Sequence, residues 1–192
     1  SDLYDVIGGT ENAVQTWTAG DAAPKTLFSA KDAKGLALRW TDDGRTVAYS
    51  KQGEVFVRSI DGGEARSLTP KPKVETKPGD AVTPAEKKET EPVESFSAGA
   101  FSRDGSKILA TSAKGWYVVN VADGTRKQIL TLDKDESKNP RVAVLDWAAD
   151  GSAIYASWGA RDVWQRGLLR IDASTGAMTT LVKDTRLYSA VR

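Results

Sequence analysis

The chain has 192 residues, 40% of them hydrophobic and 28% charged, the balance of a soluble globular protein able to bury a core. Its 27 basic and 26 acidic residues give a net charge of +1 with no basic stripe, so neither a nucleic acid nor an anionic membrane surface is an expected partner. Cys and His are both absent, which excludes disulfides, thiolate chemistry and a Ser-His-Asp triad assembled from this chain alone, and no cofactor is implied.

The first residue is Ser rather than Met, and "SDLYDVIGG" has neither the basic nor the apolar region of a signal peptide. The sequence therefore reads as starting inside a longer protein or after a cleaved leader. A periplasmic or secreted location is favoured over a cytoplasmic one, but the compartment stays open.

Residues 1–28 read as an incomplete unit. "ENAVQTWTAGDAAPKTLF" (11–28) has the look of two strands, and "SDLYDV" that of a remnant before them. The first complete unit spans 36–69. There "LALRW" is extended, Asp43-Gly44 turns the chain and "TVAYS" returns; Gly53 turns it again, "EVFVRSI" follows, Asp61-Gly62-Gly63 turns and "ARSLT" closes. Asp-Gly suits such corners because Gly adopts positive φ freely and Asp tolerates it, and tight type I′ turns are expected.

Residues 70–95 differ in kind. They carry five of the seven prolines, no aromatic residue and charges of both signs, so they read as a solvated insertion without a core of its own. The plan then resumes over 96–131 with Asp104-Gly105, Gly115 and Asp123-Gly124. It repeats over 142–182 with Asp150-Gly151 and a longer second hairpin, "WGARDVWQRG" (158–167). "RLYSAVR" (186–192) resembles an opening strand. Trp40, Phe101 and Trp147 each close the first strand of a unit, 61 and 46 residues apart, and the larger gap contains the insertion.

Four-stranded units recurring at about 40 to 45 residues define an all-β propeller built of antiparallel blades, here about three full blades and two partial ones. No sustained 3.6-residue apolar period competes, so very little helix is expected. The alternative architecture is a small four-bladed ring closed by pairing 186–192 with 3–28. An open arc instead leaves strand edges free for self-association.

Trp40, Phe101 and Trp147 are expected to pack between blades, and Asp43, Asp104 and Asp150 to serve their turns rather than a metal or acid–base site. Arg39, Asp146 and Arg192 precede the repeated aromatic position on the strand nearest the channel, and are candidates for lining it. Trp158, Arg161, Asp162, Trp164, Gln165 and Arg166 interleave indoles with guanidinium groups, the composition of a protein contact; the competing reading is a hairpin folded onto its own blade.

The segment "LRWTDDGRTVAYSKQGEVFVRSIDGGEARSLT" (38–69) resembles the WD-like repeat of TolB-like periplasmic proteins and of the N-terminal propellers of prolyl oligopeptidase family serine peptidases. The long insertion and extended hairpin favour the peptidase family. That resemblance implies a propeller that gates short peptides toward a C-terminal α/β-hydrolase domain holding the catalytic residues. No G-x-S-x-G elbow occurs in this chain, so no catalytic residue is assigned to it. Glu89, Glu91 and Glu94 read as solubilising charges rather than as the pair of Glu with which some members hold a substrate's N-terminus. The rival readings are a TolB-like scaffold that binds other proteins and a metal-dependent propeller lactonase.

Overall fold

A computed structural model describes residues 2–5, 13–33, 35–72, 93–160 and 165–184. The interior of the insertion (73–92), Arg161, Asp162, Trp164, Arg192 and the strand expected over 186–192 lie outside the described residues.

The chain forms four antiparallel sheets, each made of strands consecutive in sequence. The first sheet holds β1 (Asp2–Asp5), β2 (Val14–Trp17) and β3 (Lys25–Phe28). The second holds β4 (Arg39–Trp40), β5 (Thr46–Lys51), β6 (Glu54–Ser59) and β7 (Arg66–Ser67). In the third are β8 (Ser97–Phe101), β9 (Lys107–Ser112), β10 (Gly115–Asn120) and β11 (Arg126–Thr131). The fourth comprises β12 (Arg141–Trp147), β13 (Ala153–Gly159), β14 (Arg166–Asp172) and β15 (Met178–Asp184). Helix is confined to single turns at Ala30–Ala33 and Glu136–Lys138 among the described residues. No described strand joins the fourth sheet to the first, so the arrangement is that of an open, partial β-propeller.

Strand alternation explains why the sheets stack. Side chains along a strand point to opposite faces, and in β5 both faces are covered. Val47 and Tyr49 join Leu27 and Phe28 of the first sheet, while Ala48 joins Val55, Val57 and Leu68 in facing Ile108, Ala110, Tyr117 and Val119 of the third. One step further, Leu109, Trp116, Val118 and Leu130 of the third sheet meet Trp147, Ile154, Ala156 and Ile171 of the fourth. Each Val, Leu or Ile among them contributes roughly 1.5–3 kcal/mol by leaving water, and each Ala clearly less. A central strand with two buried faces is apolar on both, and the centres of "TVAYS" and "KILATS", Val47–Tyr49 and Ile108–Ala110, are buried without alternation.

Aromatic rings close the junctions. Phe28 meets Tyr49 edge-on at 5.0 Å between centroids, and Phe96 meets Tyr117 likewise at 5.3 Å. Trp147 is 2% exposed and its indole Nε1 donates to the Ala100 carbonyl across the sheet boundary at 3.0 Å. Phe101 is also buried, but Trp40 is only half-buried. The three equivalent aromatics therefore differ in how much packing they supply.

Arg58 breaks the apolar rule. It pairs with Val47, a register place held by Val119 in the third sheet and Ile171 in the fourth. Its guanidinium donates to the Leu27 carbonyl at 2.6 Å and lies 5.2 Å from the centre of the Phe28 ring, so a cation rather than an aliphatic group joins the first two sheets.

Trp147→Ala is expected to cost about 3–5 kcal/mol of unfolding free energy, whereas Trp40→Ala should cost clearly less. Urea denaturation of the two variants checks this; equal losses would contradict the unequal burial.

Candidate functional face

The two ends of the sheets are built differently. At one end lie the turns joining the first strand to the second and the third to the fourth. The first of these turns is the same in three sheets, and most of the carboxylates here hold backbone, while Asp61 instead takes the Arg45 guanidinium at 3.2 Å. Asp43 accepts from the Thr41 hydroxyl at 2.6 Å and the Arg45 amide at 2.9 Å. Asp104 accepts from the hydroxyls of Ser102 and Ser106, at 2.7 and 2.8 Å, and from the Ser106 amide at 3.1 Å. Asp150 accepts from the Ser152 amide at 2.9 Å. Asp123 and Asp172 do the same for Thr125 and Thr175.

The expected type I′ geometry at these first turns is not what forms. The amides of Gly44, Gly105 and Gly151 donate back three residues, to Thr41, Ser102 and Ala148, and only the glycine enters the left-handed region. The aspartate stays at negative φ because its side chain is needed to cap the amide two residues on. A hairpin with two left-handed central residues does occur, at Gln52 and Gly53. These turns also step against the preceding sheet. The Lys107 ammonium reaches the Gly151 carbonyl at 3.1 Å, and the Arg66 guanidinium reaches that of Val121.

At the opposite end the second hairpin has two loop residues in the second and third sheets and more in the fourth. The second hairpins, both flanks of the insertion, the 132–140 connection and the long hairpin all gather here. The Phe96 amide donates to the Gly53 carbonyl at 2.8 Å, and the Lys71 ammonium donates to that of Gln52, so the two flanks of the insertion are fastened to the same hairpin. Glu94, read from sequence as a solubilising charge, is instead an anchor. It accepts from the Tyr117 phenol at 2.8 Å and from the Ser112 hydroxyl. Burial, and then this carboxylate, push the Tyr117 pKa up. Behind it, the Arg126 guanidinium lies 4.9 Å from the centre of the Phe96 ring. This clamp was missed in sequence because its members are 18 and 23 residues from Glu94.

The 132–140 connection is tied by a reciprocal pair: Asn139 accepts from the Asp133 amide at 2.7 Å and donates to its carbonyl at 2.9 Å. In the long hairpin, Trp158 pairs across the sheet with Gly167, where an added Cβ would come within 2.5 Å of the indole nitrogen. Trp158 thus lies against its own sheet, and Gly167 makes room for it. Arg166 is exposed at the start of β14. Arg39 and Asp146 are exposed too. The Arg39 guanidinium donates to the adjacent Leu38 carbonyl at 3.2 Å, and Asp146 accepts from the Trp147 amide at 2.8 Å, so they do not pair with each other. Among the described residues no three acidic side chains gather closely enough to hold a metal ion.

Comparison with known proteins places this fold. No family model and no curated protein matches the chain. Among solved structures it is similar to a putative TolB from Agrobacterium tumefaciens, with a TM-score of 0.51 and 16% identity over 92% of this chain and 58% of that one. It is similar as well to an oligogalacturonate lyase from Vibrio parahaemolyticus, with a TM-score of 0.51 and 11% identity over 96% of this chain and 47% of that one. At such identities the likeness is one of fold. The chain spans about half the length of these structures.

The turn carboxylates set an acid response. Hydrogen bonds hold Asp43, Asp123, Asp150 and Asp172 below the ordinary carboxylate range, and those from Ser102 and Ser106 hold Asp104 down to about 2. A group with a lowered folded-state pKa stabilises above its unfolded value, about 3.9, and this stabilisation is lost as pH falls through the folded value. Unfolding free energy should accordingly drop between pH of about 4 and about 2, and Asp104→Asn should make the drop shallower. An unchanged slope in that variant, measured by urea denaturation across the range, would contradict the assignment.

Proposed function

We propose that residues 1–192 are the non-catalytic propeller portion of a prolyl-oligopeptidase-like serine peptidase, gating or positioning peptides for a hydrolase domain outside this chain. The observation that carries this reading is the confinement of irregularity to one end of the sheets. Three successive sheets share one Asp-Gly turn between their first and second strands, while the other end bears the insertion, the Glu94 clamp and the long hairpin. Loops elaborated on one end of a rigid scaffold are where binding is usually found. The repeat in 38–69 and the absence of His from the sequence support the same division of labour, since a triad would need its base from elsewhere.

A second reading, a TolB-like scaffold that binds other proteins through the same end, is favoured by the structural likeness to a putative TolB. The natural reading frame separates the two. Further blades followed by a G-x-S-x-G segment with Asp and His support the peptidase, and blades alone support the scaffold. The purified chain is expected to hydrolyse no peptide substrate, whereas the longer polypeptide should hydrolyse short peptides and lose that activity when the elbow Ser is replaced by Ala. Turnover by residues 1–192 alone, or none by the longer polypeptide, would overturn the proposal.

A further inference from the structure

The fourth sheet leaves one broad face without a covering sheet among the described residues, and the register of the other sheets tells what such a face receives. In the second sheet the paired row Arg39, Ala48, Val57, Arg66 crosses all four strands. In the third, Leu109, Val118 and Lys127 hold the same place. The row's central residues, with Val55 and Leu68 of the second sheet and Trp116, Ile129 and Leu130 of the third, are at most 7% exposed because the next sheet packs on them.

In the fourth sheet the corresponding row is Asp146, Tyr155, Arg170 and Thr179, with Leu168 and Val182 paired beside it. Here Val182 is 46% exposed and Leu181 48%, and Leu145, at the irregularity in β12, is 54%. The aliphatic centre of the earlier faces has become a phenol and a guanidinium. Arg170 donates to the Ser152 hydroxyl at 3.2 Å, and its charge helps to lower the Asp150 and Asp172 carboxylates of its own sheet, but it has no salt bridge among the described residues. Asp146 is turned to the Trp147 amide instead.

We propose that this face receives a further four-stranded sheet of the same repeat, and that this sheet, unlike the two before it, meets Arg170 and Tyr155 with a carboxylate. The inference rests on the longer polypeptide of the preceding proposal as the source of that sheet. Three observations favour this occupant. The face continues an interface already formed twice in register, its apolar rim is open, and similar propeller chains are about twice as long. Covering an arginine and a phenol with aliphatic groups would strand their donors, whereas a carboxylate satisfies both and can engage the guanidinium with two hydrogen bonds. By analogy with the Trp147 indole on Ala100, an aromatic donor of the incoming sheet would find the Asp146 carbonyl.

Hydroxyl-radical footprinting of residues 1–192 and of the longer polypeptide tests this. Labelling of Tyr155 and Val182 should be ready in residues 1–192 at every concentration and lost in the longer polypeptide. Met178 pairs with Ile171 and so belongs to the opposite face; it should stay labelled in both. Arg170→Leu in the longer polypeptide leaves the carboxylate buried and unpaired, so labelling should return, and Arg170→Lys should restore protection in part. Equal labelling of the two proteins overturns the proposal. So does protection of residues 1–192 that grows with concentration, which would make a second copy the occupant, and so does a reading frame without another repeat sheet. Protection that survives Arg170→Leu removes the carboxylate. A polypeptide that protects this face yet lacks a hydrolase domain would overturn the functional proposal and leave this one standing.

Discussion

The structure depends on the burial of both faces of each central sheet. A four-stranded antiparallel sheet in isolation has two faces and no way to cover either, so it is stable only between neighbours. Val47 and Ala48 are adjacent in sequence, fully buried, and face different sheets. This is why β5 and β9 each have three consecutive buried apolar residues at their centre where a one-sided strand would alternate. It also dictates where the chain can be lengthened, because an extra residue in the middle of a strand shifts the register of both faces and one at a strand end leaves them in place. The insertion and the long hairpin both fall at strand ends.

The same constraint sorts the charges. At the regular end Asp43, Asp104, Asp123, Asp150 and Asp172 accept from amides and hydroxyls two or three residues away. Cations do the joining between sheets: Arg58 to Leu27, Arg66 to Val121 and Lys107 to Gly151 each carry a donor across a boundary to a backbone carbonyl. At the irregular end Glu94 reverses this pattern, with an acidic side chain receiving two hydroxyl donors from β9 and β10 beside the insertion.

Much of the fold was legible because its determinants are local and repeated. The aromatic, Asp-Gly and strand pattern recurs three times, and four-stranded sheets follow from it. What was not legible depends on partners distant in sequence. Glu94 looks like any charge in a charged segment until β9 and β10 bring Ser112 and Tyr117 to it. Arg58 occupies an apolar place because Phe28, from another sheet, offers a ring face and Leu27 a carbonyl. Trp40 follows the aromatic rule but lacks the depth of Trp147, a difference its spacing could not show. The turn type was not legible for a local reason: Asp tolerates positive φ, but here its carboxylate caps the amide two residues on and only the Gly is left-handed.

The measurement closest to the central claim is a double-mutant cycle across one sheet boundary. Leu109 in β9 and Ile154 in β13 are 1% and 0% exposed, and lie in one apolar cluster although they belong to different sheets. If successive sheets are held by their faces, Leu109→Ala and Ile154→Ala should be coupled in unfolding free energy by about 0.5–3 kcal/mol. Additivity to within about 0.3–0.5 kcal/mol would mean that the sheets do not support one another and would contradict the account.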